Sequence, residues 1–217
     1  MLSNLVLDEL DRELERRGHG FARYADDCNI YVRSERAGQR VMESITSFIE
    51  IELKLKVNNE KSAVAKPQER KFLGFSFTGG AKPKRRIAPK AKQRFRKKVR
   101  EITRRKKGDS MKQRVEELRQ YLRGWRGYFG FCETPSVLKA LDSWVRRRLR
   151  SCYWIQWKTR RRRYDGLVGL GVSRELAANT AGSNRGPWYL SKGIALRQAL
   201  PNAYFDSIGL PRLAVSR

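Results

Sequence analysis

The feature that most constrains the fold is a short segment in which strand-forming residues flank two adjacent aspartates, Asp26 and Asp27. Side chains alternate in character over residues 21–25 before the pair and over residues 29–32 after it, and both runs are rich in residues that favour β-strands. Aspartates are common in tight turns. The sequence therefore predicts a β-hairpin with both aspartates in its turn.

The paired carboxylates have two interpretations. Two acids held at one point can bind a divalent cation such as Mg²⁺, which prefers hard oxygen ligands and can stabilise both the attacking and the leaving oxygen of a phosphoryl transfer. An ordinary exposed turn explains the same residues, because two charges about 4 Å apart in water repel each other by only about 1 kcal/mol. The dipeptide alone leaves both interpretations open.

The charges of the 217-residue chain are divided unevenly along its length. Residues 1–80 contain 13 Lys or Arg and 13 Asp or Glu, whereas residues 81–217 contain 36 and 9, so the whole net charge of +27 lies in the second part. The change falls at Gly79-Gly80 and is followed by a basic, proline-containing segment, residues 81–86. We therefore predict two domains, residues 1–80 and residues 81–217.

The basic second part indicates a polyanionic partner. Nucleic acid is favoured, because clustered Lys and Arg bind phosphates. A membrane surface is the competing partner, but no segment approaches the roughly 18 uninterrupted apolar residues of a membrane span. The basic helices also have too little apolar surface for interfacial binding. The sequence thus favours nucleic acid over a membrane.

The cysteines and the single histidine suggest a reducing compartment. Cys28, Cys132 and Cys152 are far apart and odd in number, and His19 adds no cluster of ligands. These residues form neither a disulfide framework nor a zinc pattern. Residues 1–17 have the pattern of an acidic amphipathic helix rather than of a targeting signal. We therefore expect the protein in the cytoplasm.

The first domain is predicted to be α+β. Leucines at helical spacing predict a helix over residues 2–17, and a second apolar stripe predicts a helix that begins near Ser34. Alternation over residues 53–58 and an apolar run over residues 72–77 predict further strands. Helices packed against a hairpin and strands form an α+β layer with one face free to line a cleft.

The second domain is predicted to be mainly helical. Apolar residues at helical spacing mark three helices, one of which begins with the capping-box pair Ser110 and Gln113. Thr134 and Pro135 are the residue types expected at an N-cap and at a first helical position. Short connections between the three helices favour a bundle.

The tryptophans, all of which lie in the second domain, divide into two groups. Trp125 and Trp144 lie on or beside apolar stripes, which favours core packing over base stacking. Trp154 and Trp157 lie close to an arginine run and are the better candidates for contact with exposed bases.

Three clusters of basic residues are candidates for contact with phosphates. A single run of this kind can be a solvated tail or a localisation patch, but its repetition favours a phosphate-binding surface. Together with Trp157, the predicted RNA-binding residues are Arg104, Arg105, Lys106, Lys107, Arg146, Arg147, Arg148, Arg160, Arg161, Arg162 and Arg163.

Several segments, in order along the chain, carry the resemblance to a known family. The segments are residues 24–27 (Tyr-Ala-Asp-Asp), 55–62, 72–75, 122–130, 141–150, 186–188 and 203–211. They resemble the palm, primer-grip, thumb and maturase segments of the reverse transcriptase and maturase proteins encoded by group II introns. The resemblance covers nearly the whole chain and is far more specific than the acidic tetrapeptide alone.

This resemblance implies both a fold and an activity. The fold is a partial reverse-transcriptase palm of hairpin, strands and helices, followed by a basic helical thumb and maturase domain. The activity is RNA-directed DNA synthesis by a two-metal mechanism with Mg²⁺, which uses an RNA template, a DNA primer and dNTPs. The resemblance also implies binding of the parent group II intron RNA, to help the intron fold and splice.

The resemblance assigns roles to residues by position. Asp26 is expected to ligate Mg²⁺, Asp27 to support that site, and Tyr24 to lie against the primer end. Lys61 is a candidate general acid or charge stabiliser for the departing pyrophosphate, although a surface lysine explains it equally well. The other residues implied in primer and template binding are Phe72, Leu73 and Gly74.

One part of the family pattern is not found in the sequence. The finger segments and an earlier palm strand with another metal-binding aspartate are expected upstream of Met1. No third carboxylate occurs at a plausible place, since Asp8 and Asp11 belong to the first predicted helix. We therefore expect that the chain alone does not polymerise, because it is either truncated or dependent on a separate N-terminal fragment with the fingers and the first palm strand.

Two other functions remain open at this point. The chain could be an RNA-binding splicing cofactor without polymerase activity, in which the palm segment is only a scaffold. It could also be a generic basic protein of a ribonucleoprotein, but that interpretation leaves the ordered motifs unexplained.

Overall fold

The computed structural model describes residues 2–104 and 108–214, which form two compact units, Met1–Pro83 (unit 1) and Lys84–Arg217 (unit 2). Unit 1 contains helices and short strands. Unit 2 is dominated by helices. The predicted α+β class, with a palm-like first part and a helical second part, is confirmed. No helix of the described ranges is long and apolar enough to cross a membrane.

Unit 1 is built around an antiparallel hairpin and two helices. Its elements are α1 (Leu2–Arg16), β1 (Gly20–Tyr24), β2 (Asp27–Tyr31), α2 (Glu35–Ile51) and β3 (Phe75–Phe77). Leu10 and Leu14 lie one turn apart on the same face of α1 and are buried against Ile45 of α2. Phe21 and Ile30 of the hairpin pack against this cluster. The hairpin therefore packs against α1 and α2.

The ends of both helices follow from local sequence. Gly18, at φ 68°, takes the left-handed conformation that ends α1, and the His19 N–H donates to the Leu14 carbonyl at 2.9 Å. The Ser34 side chain caps α2 by accepting from the Ala37 N–H at 3.2 Å, as its residue type predicts. The first helix and the start of the second are thus confirmed.

The predicted strand over residues 53–58 is wrong, because no strand forms there. The N–H groups of Leu53 and Leu55 donate to the carbonyls of Phe48 and Ile49 at the end of α2, at 3.3 and 3.0 Å. Lys54 takes a left-handed φ of 54° between them. The segment with alternating apolar and basic residues therefore forms the C-terminal end of α2 and the loop that follows, and not a strand.

The apolar run over residues 72–77 is a tight turn followed by a short strand, rather than one continuous strand. Phe72 and Phe75 exchange two backbone hydrogen bonds of 2.9 Å, and Leu73 and Gly74 between them both have positive φ values, 50° and 77°. Such a pair of left-handed residues is typical of a two-residue hairpin turn. The strand β3 begins only at Phe75.

Unit 2 begins with a short strand and continues through helices. Its elements are β4 (Arg85–Ile87), α3 (Pro89–Ile102), α4 (Met111–Phe129), α5 (Pro135–Gln156), α6 (Arg160–Gly169), α7 (Arg174–Ala181), α8 (Pro187–Leu190), α9 (Ile194–Ala199) and α10 (Asn202–Ser207). The three longest helices, α3 to α5, are those predicted from the apolar stripes. The five shorter helices that follow cannot be recognised from the sequence pattern, because each spans fewer than three turns.

The apolar stripes of α3 to α5 are buried as predicted. Phe95 of α3 and Leu122 of α4 are fully buried, and the ring of Phe95 lies 4.5 Å from that of Trp125. Trp125 is 8% exposed, which confirms its expected place in the core. Trp144 of α5 is only half-buried and lies near Arg100, whose guanidinium carbon is 5.7 Å from the ring centroid.

The two predicted helix starts in unit 2 differ in chemistry. At α4 the capping box is complete, since the Ser110 hydroxyl accepts from the Gln113 N–H at 3.3 Å and the Gln113 side chain accepts from the Ser110 N–H at 2.9 Å. At α5, Thr134 occupies the N-cap position before Pro135, but its side chain makes no capping bond. Its hydroxyl instead lies 3.0 Å from the Cys132 sulfur.

This difference predicts unequal effects of two substitutions. Ser110→Ala is expected to lower the free energy of unfolding by about 1 kcal/mol, because an N–H of the first turn of α4 loses its acceptor. Thr134→Ala is the matched control and is expected to cost less, because its hydroxyl caps nothing. Urea denaturation followed by tryptophan fluorescence measures both. Equal losses would contradict the capping explanation.

Candidate metal and nucleic-acid sites

The hairpin places the two aspartates at its tip, but not both in its turn. Tyr24 and Asp27 form the last cross-strand pair, so the two-residue turn consists of Ala25 and Asp26. Ala25 has a left-handed φ of 52°, which the tight turn requires. The prediction of both aspartates in the turn is therefore corrected, since Asp27 is the first residue of β2. Both aspartates are exposed.

Arg23 stabilises this turn from the neighbouring strand. Its Nη1 donates to the Ala25 carbonyl at 3.0 Å, and its Nε and Nη2 donate to the two carboxylate oxygens of Asp11 in α1, at 2.7 and 2.5 Å. The Asp11 carboxylate raises the pKa of Arg23 further above its ordinary value. The arginine thus fixes the turn while its charge is balanced by Asp11 rather than by the carboxylates at the tip.

The sequence pattern identifies neither Arg23 nor Asp11 as a support of the hairpin tip. Asp11 belongs to α1 and is not expected to be a third metal ligand. The two-oxygen contact with Arg23 gives it a positioning role instead. An arginine two residues before a tight turn was the available signal, but its partner 12 residues earlier could not be found without the fold.

The cysteine beside the tip does not add a metal ligand. Cys28 follows Asp27 in β2 and is partly buried, and burial raises the pKa of its thiol to about 11. Sulfur is also a soft ligand, whereas Mg²⁺ prefers oxygen donors. The donors that remain at the tip are the two carboxylates.

These carboxylates fit part of a Mg²⁺ site. Neither Asp26 nor Asp27 forms a side-chain hydrogen bond or ion pair with another described residue. Over residues 2–104 and 108–214, no group of three or more His, Cys, Asp or Glu forms a ready metal cage. Protein-bound Mg²⁺ typically has one or two carboxylate ligands and completes its shell with water and substrate phosphates. The tip therefore suits a metal that arrives with a phosphate ligand.

The other predicted palm residues lie in two places. Tyr24 is 64% exposed and lies opposite Asp27 at the hairpin tip. Lys61 is exposed in a turn whose backbone is held by a 3.1 Å hydrogen bond from its N–H to the Asn58 carbonyl. Among the described contacts, no hydrogen bond or ion pair joins Lys61 to the aspartates. The structure thus brings Tyr24 to the acids but does not bind Lys61 to them.

The predicted primer-binding residues 72–74 form the tight turn before β3. Leu73 is 38% exposed at its tip, and Phe72 and Gly74 are half-buried. The Arg70 guanidinium donates to the Lys61 carbonyl at 2.6 Å, which links the two loops that carry Lys61 and Phe72. These predicted site residues are therefore neighbours of one another within unit 1.

The α5 arginines, which are consecutive in sequence, have three different environments. Arg146 is 1% exposed and forms ion pairs with Asp142 and Asp206, the latter at 2.9 Å. Its prediction as an RNA-binding residue is wrong, because its charge is buried and balanced within unit 2. Arg148 is half-buried and donates from Nε to the Thr103 hydroxyl at 2.9 Å. Only Arg147 lies beside exposed aromatic side chains.

The α6 arginines form the most accessible basic cluster among the predicted residues. Arg160, Arg161 and Arg162 are exposed, and the side chain of Arg161 is 93% accessible. Arg160 and Arg161 line a cavity of about 460 Å³ between α6 and α7. Arg163 differs, because its guanidinium carbon lies 4.8 Å from the ring centroid of Trp154 and the residue is half-buried.

The tryptophans next to this cluster are less available than predicted. Trp154 is 1% exposed, so the expectation that it contacts bases is wrong. Trp157 is half-buried and packs against Gly166 of α6 so closely that a Cβ at position 166 would lie 2.7 Å from its ring. Arg104 is exposed at the end of α3. The predicted residues Arg105, Lys106 and Lys107 lie outside the described residues.

Comparison with known families finds two matches, in different parts of the chain. Residues 1–77 match the family described as reverse transcriptase (RNA-dependent DNA polymerase). Residues 92–167 match the group II intron, maturase-specific domain. The chain belongs to the group II intron reverse transcriptase and maturase family. No curated protein matches it.

This family assignment gives the two units their general chemistry. Reverse transcriptases use divalent metal ions and RNA templates, and group II intron maturases bind intron RNA. The reverse transcriptase match includes the aspartate hairpin, and the maturase match includes the α6 arginines. Helices α7 to α10 lie beyond the matched residues. One of them, α10, carries Asp206, which forms an ion pair with the buried Arg146 of α5.

Proposed function

We propose that this reverse transcriptase and maturase chain supplies the Mg²⁺-binding aspartates for RNA-directed DNA synthesis, and that its unit 2 binds group II intron RNA. The substrates of the synthesis are an RNA template, a DNA primer and dNTPs. The three cysteines are far apart in sequence and odd in number, which supports a reducing cytoplasmic setting.

One observation carries the catalytic part of this proposal. Asp26 and Asp27 are exposed at the tip of a hairpin that is fixed from behind, and no described cation balances their charge. Arg23, the nearest strand arginine, is bound to Asp11 instead. Two negative charges held together in this way favour the binding of a divalent cation. An ordinary exposed turn does not need the support that Arg23 and Asp11 give to this one.

The residues around the tip have separate roles in the proposed reaction. Asp26 ligates the metal and Asp27 supports it, while the exposed ring of Tyr24 packs against the primer end. When bound, Mg²⁺ neutralises charge on the reacting phosphates. Lys61 stabilises the leaving pyrophosphate through its charge, and the turn at residues 72–74 contacts the primer.

The described residues supply two carboxylates, whereas a two-metal arrangement needs more ligands. We therefore propose that fingers and a first palm strand, which the described residues do not contain, add the remaining aspartate. The second candidate function is a splicing cofactor that binds intron RNA without polymerase activity. The confinement of the net charge to the second part of the chain favours this alternative, because RNA binding by unit 2 needs no metal.

A double substitution at the tip tests the catalytic proposal. In the intact chain, Mn²⁺ is expected to broaden the backbone NMR signals of residues 24–28, because a paramagnetic ion bound by the aspartates relaxes nearby nuclei. Asp26→Asn with Asp27→Asn is expected to abolish this broadening. Glu43→Gln, an exposed carboxylate on α2, is the matched control and should leave it unchanged.

The same variants distinguish the two candidate functions. With a fingers and palm polypeptide added, primer extension is expected to fall by at least about 100-fold in the double variant and to persist in the control. The RNA affinity of both variants is expected to stay within about twofold, because the substitutions lie outside unit 2. Unchanged Mn²⁺ broadening in the double variant would contradict the metal assignment. RNA binding without any primer extension would favour the splicing cofactor.

A further inference from the structure

The segment around α8 exposes two neighbouring aromatic rings beyond the residues matched by the maturase-specific domain. Trp188 is 38% exposed and Tyr189 is 46% exposed, whereas the next residue, Leu190, is buried. Ser191, also buried, follows and donates from its hydroxyl to the Trp188 carbonyl at 2.7 Å. The chain is therefore anchored through Leu190 and Ser191, and this anchoring turns the two rings toward solvent.

Cations lie against both rings. The Arg147 guanidinium carbon is 3.8 Å from the ring centroid of Trp188, and its Nη2 donates to the Trp188 carbonyl at 2.9 Å. The Arg185 guanidinium carbon lies 4.4 Å from the ring centroid of Tyr189, and the Lys192 Nζ lies 4.9 Å from it. We define the aromatic platform as Trp188 and Tyr189 with these three cations.

The arrangement is not that of ordinary core packing. Arg147 covers one face of the Trp188 indole, so the exposed surface comes from the rest of that residue. A large aromatic residue gains stability in the core by full burial, as Trp154 and Phe205 do in this unit. Exposed rings bordered by positive charges are instead typical of surfaces that stack on nucleic-acid bases and bind the flanking phosphates.

We propose that Trp188 and Tyr189 stack against unpaired bases of RNA. Arg185 and Lys192 bind the phosphates on either side, and Arg147 holds the indole in place. This inference rests on the proposed binding of intron RNA and specifies the RNA feature, which is a single-stranded loop, bulge or linker rather than a continuous duplex. Bases in a duplex are already stacked and paired, so they offer no free face to an aromatic side chain.

Two aromatic substitutions test the platform. The intact chain is titrated with a labelled single-stranded RNA and with a fully paired duplex of the same sequence, and anisotropy reports affinity. Trp188→Ala and Tyr189→Ala are each expected to weaken single-strand binding by roughly 5- to 150-fold, the usual effect of losing one stacked base. Duplex affinity is expected to change by less than about twofold, because the phosphate contacts remain.

Salt dependence and conservative variants separate stacking from charge. Trp188→Ala removes no charge and is expected to leave the slope of log affinity against log salt unchanged, whereas Arg185→Gln should reduce its magnitude by about 0.7. Trp188→Phe keeps a ring and is expected to retain most of the single-strand affinity. Phe131→Ala removes an even more exposed aromatic, 67% accessible, from elsewhere in unit 2 and is expected to have no effect.

The outcomes distinguish the platform from the proposed RNA-binding function. Equal losses for single strand and duplex, or no loss in either aromatic variant, would overturn the platform while leaving RNA binding intact. The platform would also be overturned if a polyglutamate peptide displaced the labelled RNA as effectively as unlabelled single-stranded RNA does. Such a peptide carries negative charge but has no bases. Failure of the unsubstituted chain to bind either RNA would overturn both proposals. Thermal unfolding of each variant shows whether the fold is retained.

Discussion

Replacement of both Asp142 and Asp206 with asparagine is expected to lower the free energy of unfolding by about 3–5 kcal/mol. Both carboxylates form ion pairs with the guanidinium group of Arg146, which is 1% exposed. The double substitution leaves this charge buried without a counter-charge, which is among the most costly defects in a folded protein. Urea denaturation measures the loss, and tryptophan fluorescence reports on unit 2 alone because all five tryptophans lie there.

Two further variants check this explanation. Adding Arg146→Met to the double variant removes the buried charge and is expected to recover much of the lost stability, because an uncharged side chain of similar length carries no such penalty. Asp165→Asn is the control, since its pairing with Arg161 is exposed on both sides and at 4.0 Å is long; its expected loss is below about 1 kcal/mol. A loss in the double variant no larger than in this control would contradict a buried ionic network.

The same network gives the direction of acid sensitivity. The guanidinium groups of Arg212 and Arg146 hold the pKa of Asp206 below its ordinary value of 3.8. A carboxylate with a lowered pKa in the folded state contributes stability at pH values above its unfolded pKa, and this contribution is lost as the pH falls through the folded pKa. The contribution of Asp206 is therefore fully present at neutral pH.

Replacement of Arg160, Arg161 and Arg162 with glutamine is expected to reduce the magnitude of the salt slope of RNA binding by about 2 to 3. Each phosphate contact contributes roughly 0.7 to 0.9 to that slope, and these three side chains are exposed at the start of α6. The affinity at about 0.1 M salt is expected to fall on the order of 100-fold. Titrations of labelled group II intron RNA over a range of salt concentrations measure both quantities.

A control with the same change of charge shows whether position matters. Arg33, Arg36 and Arg40 are exposed around the start of α2 in unit 1, and their replacement with glutamine removes the same three charges from the neutral part of the chain. This variant is expected to change the slope by less than about 1. Arg163 is left unchanged in both variants, because it packs on Trp154. An equal response in the two triple variants would indicate a general charge effect and no α6 site.

The sequence predicted the elements whose pattern is local. The hairpin, the first two helices of unit 1 and the long helices of unit 2 all follow from alternation, apolar stripes and caps such as Ser110. Motif order predicted the family, which the matches over residues 1–77 and 92–167 confirm. The short helices α6 to α10 could not be predicted in the same way, because four to ten residues give too few turns for a stripe to be recognised.

The errors about RNA-binding residues share a physical cause, which is that neighbouring residues on a helix do not share one environment. Neighbouring positions on a helix point about 100° apart, so Arg146, Arg147 and Arg148 reach a buried ion pair, an exposed indole and a threonine hydroxyl. Likewise, proximity in sequence to the α6 arginines made Trp154 a candidate for base contact, whereas the helix turns it into the core. Charge counts from sequence thus overestimate the charge available to RNA.

The contact between Trp157 and Gly166 has a consequence for how the α6 arginines meet a partner. The indole of Trp157 fills the space above the glycine, so close packing holds α6 against the end of α5. Charges carried on a firmly held helix lose little freedom when a polyanion binds, and their spacing cannot adjust to every arrangement of phosphates. Selectivity for particular RNA shapes can therefore arise from a tryptophan that need not touch RNA at all.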